Sequence, residues 1–163
     1  MSDHIAKVNA FLDAYWHDDA GAVERLIHSD FRWDNVPFHT FALENGDITV
    51  GRPRVRQGQE GLGSLKAMQF RDAATGEMVS QDEGVGGHEV IFEAETPDGT
   101  VLQERIDLTG LRGAVVKMRC AGVFEFRDDR IVVWRDIFDV SHWSTQLKVL
   151  GLEYAGYATD AAA

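Results

Sequence analysis

The spacing of apolar residues changes between the two halves of the chain, and this change limits the fold more than any other feature. In the first half, apolar residues recur at intervals of three and four over residues 5–16 and 20–28, which predicts two amphipathic helices. In the second half they alternate with polar residues, which is typical of half-buried strands. The alternating segments are residues 78–83, 89–95, 100–108, 115–127 and 130–140. Helices followed by a meander of strands predict an α+β fold, with the helices packed on one face of a curved, mostly antiparallel sheet.

Further elements complete this prediction. A short strand is expected at residues 31–36 and a third helix at residues 55–70, although glycines weaken the start of that helix. Ser141 is a candidate N-cap for a short C-terminal helix that ends at Gly151. Tight turns are expected at Asp98-Gly99 and at Asp128-Asp129, each between two strands.

The chain of 163 residues has the size of one domain. We expect a single domain over residues 1–157 and a disordered tail over the Ala-rich residues 158–163. The net charge of -11 argues against a nucleic-acid partner, because binding to phosphates requires Lys and Arg. Acidic residues interrupt the apolar pattern near the N-terminus and no segment is apolar for long enough to span a bilayer, so we expect a cytoplasmic protein with no membrane partner.

Metal and disulfide chemistry have little support in the sequence. Cys120 is the only cysteine, so an intrachain disulfide or a zinc site made of thiolates is not expected. The six histidines are scattered without the spacing of metal ligands. No Gly-x-Ser-x-Gly motif surrounds a serine, which argues against a serine nucleophile. We therefore expect neither a metal nor a cofactor.

Two charged residues lie two positions apart in the strand predicted at residues 100–108. Alternation points Arg105 and Asp107 to one face of the sheet, while Ile106 and Leu108 point to the other with Leu102. A buried guanidinium and a buried carboxylate lower stability unless other groups pair with them. Arg105 and Asp107 therefore predict a further partner elsewhere in the chain.

Asp136 in the last strand is the candidate partner. Alternation places it on one face with three apolar side chains, Val132, Trp134 and Phe138. Such surroundings raise the pKa of a carboxyl group toward the range that suits a general base. A structural role is the alternative, in which Asp136 pairs with Arg127 or Arg135. If the two strands lie in one sheet, the guanidinium can bridge the two carboxylates and leave one ionised and one protonated.

Three segments resemble a known family. They are NVP at residues 35–37, DGTVLQERIDL at residues 98–108 and GVFEFRDDRIVVWRDIFD at residues 122–139. They are similar to segments of the limonene-1,2-epoxide hydrolases, which have an NTF2-like fold. The resemblance implies an NTF2-like cone, in which the curved sheet wraps the helices around a pocket.

The resemblance also implies roles for individual residues. Asp136 would activate a water molecule that attacks an epoxide carbon, and Asp107 would protonate the epoxide oxygen, with Arg105 between the two acids. The family positions the water with a Tyr and an Asn two residues apart, which fall on Trp33 and Asn35 here. Trp33 departs from the family pattern, because an indole N–H can only donate a hydrogen bond whereas a tyrosine hydroxyl also accepts one.

The resemblance thus implies a cofactor-independent epoxide hydrolase that adds water in one step to a small apolar epoxide, terpene-like or cyclic. Its product is a vicinal diol. The predicted pocket lining, besides Trp33, consists of apolar side chains, namely Leu65, Met68, Val132, Trp134 and Phe138. The alternatives are an isomerase or cyclase acting on an apolar ketone and a non-catalytic dimeric ligand-binding module. The apolar outer face of the sheet favours a homodimer.

Overall fold

The computed structural model describes residues 2–17, 19–35 and 68–157. Two helices come first, α1 (Asp3–Trp16) and α2 (Ala20–Leu26). The side chains of Ser2 and Asp19 accept hydrogen bonds from main-chain N–H groups in the first turn of α1 and α2, respectively, and so cap these helices. Both predicted helices are confirmed.

The second helix is shorter than predicted. It ends at Leu26 rather than at residue 28, because Ile27 already has an extended backbone and begins the first strand. The β-branched side chain of Ile27 suits a strand, where its Cα pairs with that of Ile131.

The main sheet has five strands in the order β1-β7-β6-β5-β4. These strands are β1 (Ile27–Asn35), β4 (Gly86–Glu95), β5 (Val101–Leu111), β6 (Ala114–Arg127) and β7 (Arg130–Phe138). The pairs from β4 to β7 are antiparallel, and β1 runs parallel to β7. The predicted α+β fold with a curved, mostly antiparallel sheet is confirmed. No described helix has the length and apolar character needed to cross a membrane.

A second sheet has three short strands in the order β3-β2-β8, with bounds β2 (Met68–Asp72), β3 (Met78–Val79) and β8 (Leu152–Tyr157). The predicted helix at residues 55–70 is wrong at its end, because residues 68–70 pair with β8. Its first part, residues 55–67, lies outside the described residues, as does the predicted tail at 158–163. The strand predicted at residues 78–83 is confirmed only at Met78–Val79, and β8 was not predicted.

The C-terminal helix is α3 (Val140–Val149), and its N-cap differs from the predicted one. The Asp139 side chain accepts hydrogen bonds from the main-chain N–H groups of Ser141 at 2.9 Å and of His142 at 3.2 Å. Asp139, not Ser141, is therefore the cap. Gly151 follows the helix with a φ of 68°, as the predicted end of the helix requires.

Both predicted tight turns are confirmed. Gly99 between β4 and β5 has a φ of 84°, which a glycine adopts without steric strain. Asp128 and Asp129 between β6 and β7 have φ values of 47° and 63°. Two consecutive positive values are the geometry of a hairpin turn whose twist matches that of the strands it joins.

The inner face of the main sheet packs on α1 and α2. Phe11 and Tyr15 of α1 contact the Trp134 ring edge to face, with centroids 5.3 Å and 5.1 Å away. Along β5, buried residues alternate with more exposed ones, and Leu102 on the outer face is 41% exposed. The predicted orientation of Arg105 toward the inner face is confirmed, since its side chain is fully buried.

Candidate active site

Arg105 is the centre of a buried ionic cluster on the inner face of the sheet. Its Nε donates to Asp107 Oδ1 at 2.8 Å, and its Nη2 donates to Asp107 Oδ2 at 3.1 Å. The same Nη2 donates to both carboxylate oxygens of Asp136, each at 2.9 Å. The structure therefore brings together the three charged residues singled out in the sequence, and one guanidinium bridges both carboxylates.

The two carboxylates belong to strands that do not touch, because β6 lies between β5 and β7. Gly122 of β6 makes the bridge possible: it pairs with Gln103 on one side and with Asp136 on the other. A Cβ atom at Gly122 would lie 2.5 Å from Arg105 Nη1. The missing side chain leaves the space in which the guanidinium crosses β6. Sequence reasoning missed this residue, although a glycine inside a strand signals a close approach.

Burial determines the protonation behaviour of Asp136. The residue is 2% exposed, and its Oδ1 accepts a hydrogen bond from Trp134 Nε1 at 2.8 Å. Burial raises the pKa of Asp136 to about 6; the charge of Arg105 opposes this rise, the charge of Asp107 adds to it, and the hydrogen bond from Trp134 opposes it. Trp134 was predicted only as a pocket residue, but its hydrogen bond also stabilises the ionised form of Asp136.

The other two titratable groups in contact with Asp107 keep their protons. Burial acts to lower the pKa of Arg105, but the charges of Asp107 and Asp136 outweigh it and raise this pKa well above its ordinary value. Burial, together with the nearby carboxylates, raises the pKa of the Cys120 thiol. The thiol donates a hydrogen bond to Asp107 Oδ2 at 3.3 Å. Cys120 is thus a neutral donor to Asp107, in the buried strand position expected for a small core residue.

The predicted water-binding pair lies on β1, next to the strand of Asp136. In the parallel pairing, Trp33 is opposite Trp134 and Asn35 is opposite Asp136. The main chain of Asn35 is therefore beside the candidate base, whereas its side chain lies outside the described part. The Trp33 ring stacks on that of Trp134, with centroids 4.7 Å apart and planes inclined by 13°. Trp33 is 5% exposed and belongs to the aromatic core around the site.

The predicted pocket residues do not all lie at the cluster. Leu65 and the side chain of Met68 are outside the described residues. A shift in register between β6 and β7 breaks the predicted alternation at Val132, so that Ile131 joins the core cluster with Trp134. Phe138 packs on Trp143 of α3, with ring centroids 6.1 Å apart. Of this set, only Trp134 has a described contact with the ionic cluster.

The alternative structural pairing of Asp136 is wrong. Arg127 donates to Asp30 at 2.9 Å, and Arg135 lies 3.6 Å from Glu125. The partner of Asp136 is Arg105. In the described parts of the chain, no group of three or more His, Cys, Asp or Glu side chains is arranged to hold a metal ion.

Comparison with known proteins agrees with this geometry. The sequence model of the limonene-1,2-epoxide hydrolase catalytic domain matches residues 73–148, which include the whole ionic cluster. Epoxide hydrolase EphG of Mycobacterium tuberculosis is 31% identical over 133 residues, which cover 82% of this chain and 71% of that protein. The chain belongs to the limonene-1,2-epoxide hydrolase family. The family prediction made from the sequence motifs is therefore confirmed.

Solved structures support the fold of this family member. An epoxide hydrolase of M. tuberculosis, described as limonene-epoxide-hydrolase-like, matches with a TM-score of 0.59 and 25% identity over 90% of each chain. IdmH from Streptomyces antibioticus matches with a TM-score of 0.59 and 17% identity over 90% of this chain and 99% of its own. The second likeness shows the fold alone. Together they confirm the predicted NTF2-like architecture.

Proposed function

We propose that the chain is a cofactor-independent epoxide hydrolase that adds water in one step to a small apolar epoxide and releases a vicinal diol. The observation that carries this proposal is the buried bridge of Arg105 between Asp107 and Asp136. Opening an epoxide needs a nucleophile at carbon and a proton at oxygen. Two carboxylates held by one guanidinium in a buried site supply a base and an acid together. Family membership supports the same reaction.

Asp136 is the proposed base. With its pKa raised by burial to about 6, it is mostly ionised at neutral pH and is more basic than an ordinary aspartate. It takes one proton from a water molecule while the water oxygen bonds to an epoxide carbon. Trp134 and Arg105 hold the carboxylate in place during this step, since both donate to it.

Asp107 is the proposed acid. Like charges that share one cation favour a state in which one of the two carboxyl groups carries a proton. As the carbon–oxygen bond of the epoxide breaks, that proton passes from Asp107 to the departing oxygen, which becomes the second hydroxyl of the diol. Arg105 and Cys120 then stabilise the carboxylate that is left, because both donate hydrogen bonds to it.

Asn35 and Trp33 are proposed to position the water. The pairing of Asn35 with Asp136 across β1 and β7 supports a place for the water beside the base. The indole of Trp33 can donate to the water oxygen, provided that Asp136 and the amide oxygen of Asn35 accept the two water protons. Its stacking on Trp134 also fixes the ring that donates to Asp136.

Aromatic and apolar surroundings of the cluster support a small apolar substrate, terpene-like or cyclic, with Leu65, Met68, Val132 and Phe138 as further proposed lining. We also propose a cytoplasmic homodimer. The outer face of the sheet supports this, because Leu102 and Ile137 are 41% and 48% exposed there.

The test is diol formation from a panel of cyclic and terpene epoxides. The wild-type chain is expected to produce diols, with kcat/KM falling below about pH 6 as Asp136 is protonated. Asp136→Asn should abolish the product and keep the fold, whereas Asp30→Asn, an exposed carboxylate paired with Arg127, should retain activity. Undiminished turnover by Asp136→Asn would refute the assignment of the base.

Single turnover in isotopically labelled water separates the one-step reaction from a covalent route. Direct attack places the label in the diol at the first turnover, whereas an ester of the enzyme would release label only from the second turnover. No diol from any epoxide, together with proton exchange on cyclic ketones, would favour the isomerase or cyclase. Neither activity, with tight binding of an apolar ligand, would favour the binding module.

A further inference from the structure

The proposed reaction leaves a proton imbalance inside the cluster. After each turnover Asp107 has lost a proton to the epoxide oxygen, and Asp136 has gained one from the water. A second turnover requires that Asp107 be protonated again and that Asp136 be ionised again. Both groups are almost completely buried, with 5% and 2% of their surface exposed. The cluster therefore needs a route for protons, and this inference rests on the proposed function.

Arg105 lies between the two acids but is poorly suited to carry the proton. A guanidinium has only donors and no acceptor, so it can pass a proton on only by first giving one up. The two neighbouring carboxylates raise the pKa of Arg105 well above its ordinary value, against the effect of burial. The group that returns the proton to Asp107 must therefore lie on another side of this carboxyl.

His88 lies beside Asp107 on the edge strand β4, away from Arg105. Its Cα pairs with that of Asp107 in the antiparallel ladder, and such partners share a face of the sheet with Cβ atoms about 5 Å apart. The side chain of His88 is 7% exposed. Asp107 is also buried on this inner face. The imidazole is thus an inward neighbour of the proposed acid.

On its other side, His88 faces the C-terminal part of α1. Its Nδ1 lies 4.0 Å from Oδ1 of Asp13, whose side chain is 69% exposed. The charged groups acting on the ring are Asp107 and Arg105 from β5 and Asp13 and His17 from the region of α1. The imidazole therefore lies between a buried carboxyl group and a carboxylate in contact with solvent.

The charge state of His88 suits proton transfer. Burial lowers the pKa of His88; the carboxylates Asp107 and Asp13 oppose this effect, and Arg105 and His17 add to it. A neutral imidazole has one nitrogen that donates and one that accepts. It can therefore give a proton at one nitrogen and take one at the other, while the charge of Asp13 stabilises the imidazolium that forms briefly.

We propose that His88 returns the proton from solvent to Asp107 after each turnover. The ionised Asp107 receives the proton of one ring nitrogen through one intervening water molecule, and the other nitrogen takes a proton from solvent beside Asp13. Asp136 releases its proton to water as the diol leaves. One proton enters and one leaves, so the cycle is balanced. His88 acts through Asp107 and does not touch the substrate.

The test compares His88→Asn with the wild-type chain in single-turnover and multiple-turnover experiments at low buffer concentration. The single-turnover rate of diol formation should be unchanged, because the protein has equilibrated with solvent before the epoxide is added and the first turnover needs no proton to be returned. In multiple turnover kcat should fall about a hundredfold or more, in the range by which positioned proton-transfer groups change rates. Added imidazole should restore kcat, since it can replace the missing carrier. A role in folding alone would show no such rescue.

His28→Asn is the matched control. His28 is also a partly buried histidine near carboxylates, but it lies on β1 opposite the β6–β7 turn, with Nε2 3.5 Å from Asp128. The His28→Asn variant should have the same kcat as the wild-type chain, both with and without added imidazole. A second pair of variants avoids any effect on the core: Asp13→Asn should lower multiple-turnover kcat severalfold, whereas Glu24→Gln, on the exposed face of α2, should not.

The outcomes separate this inference from the proposed function. If the wild-type chain gives no diol in a single turnover, the proposed function fails and the proton route fails with it. If diol forms but kcat of His88→Asn equals that of the wild-type chain, His88 is not the carrier. A parallel fall of single-turnover and multiple-turnover rates without rescue by imidazole would also overturn the inference.

Discussion

Gly122 determines how the three buried charges of Arg105, Asp107 and Asp136 can meet. The guanidinium of Arg105 crosses the middle strand above this residue, and a Cβ atom there would lie 2.5 Å from Nη1 of Arg105 and 2.8 Å from the ring of Phe124. Neither neighbour can move freely, because both are fully buried. The proposed function thus depends on a residue that has no side chain.

Gly122→Ala is therefore expected to lower both activity and stability. The methyl group would displace the guanidinium from the carboxylates, and overpacking of this kind lowers the free energy of unfolding by about 1–3 kcal/mol. The measurements are the rate of diol formation and urea-induced unfolding. Gly21→Ala is the control, because a Cβ in α2 would meet its nearest atoms at an ordinary 3.6 Å. Normal activity of Gly122→Ala would show that the crossing is not required.

Among the elements, those with long and regular apolar patterns were predicted from the sequence. Helix α1 and the strands β4 to β7 were found because each places many apolar residues on one face. The second sheet was missed because its strands are short, and the residues that form them are paired over long distances, such as Phe70 with Tyr154. The broken alternation at Val132 depends on a bulge, which local spacing does not reveal.

The cap of α3 shows a second limit of sequence reasoning. Asp139 and Ser141 are both good N-cap residues and lie two positions apart, so composition alone does not decide between them. The structure assigns the cap to Asp139, whose Oδ1 accepts two main-chain N–H groups. Asp139 is consequently the single residue between the end of strand β7 at Phe138 and the start of the helix at Val140.

Asp139→Ala should lower the free energy of unfolding by about 1 kcal/mol, the usual effect of losing an N-cap side chain. Ser141→Ala is the matched variant and should change it by only a few tenths, because only the main chain of Ser141 takes part in the cap. Urea unfolding of both variants measures the difference. The reverse order of the two effects would assign the cap to Ser141 instead.

At the scale of the whole molecule, the site is assembled from strands that are distant in sequence. Alternation predicted the inward faces of Arg105, Asp107 and Asp136, and the similarity to the family supplied their proposed roles. Neither the alternation nor the similarity predicted that β6 separates Asp107 from Asp136, or that His88 lies opposite Asp107 on the edge strand β4. Those relations depend on strand order and register, which involve the complete sheet.

The fold also has to stabilise charges that burial disfavours. Asp136 has a folded-state pKa of about 6, above its ordinary value of about 3.9. The folded state therefore binds more protons than the unfolded state between these values. Its contribution to stability is fully present below about pH 4 and is lost as the pH rises through about 6. At neutral pH the carboxylate depends on Arg105 for compensation.

Arg105→Met should make this dependence visible as a loss of stability that changes with pH. At pH 7.5 the variant leaves the buried Asp136 carboxylate without its cation, and breaking a buried ionic pair in this way lowers the free energy of unfolding by about 3–5 kcal/mol. At pH 5 the loss should be smaller, because Asp136, with its pKa of about 6, is then mostly protonated and needs no cation. Arg127→Met, which removes an exposed ion pair with Asp30, should have an effect of less than about 1 kcal/mol at either pH. Urea unfolding of both variants at both pH values measures these changes in the free energy of unfolding. An equal loss for Arg105→Met at pH 5 and pH 7.5 would mean that the charge of the buried carboxylate does not cause the loss.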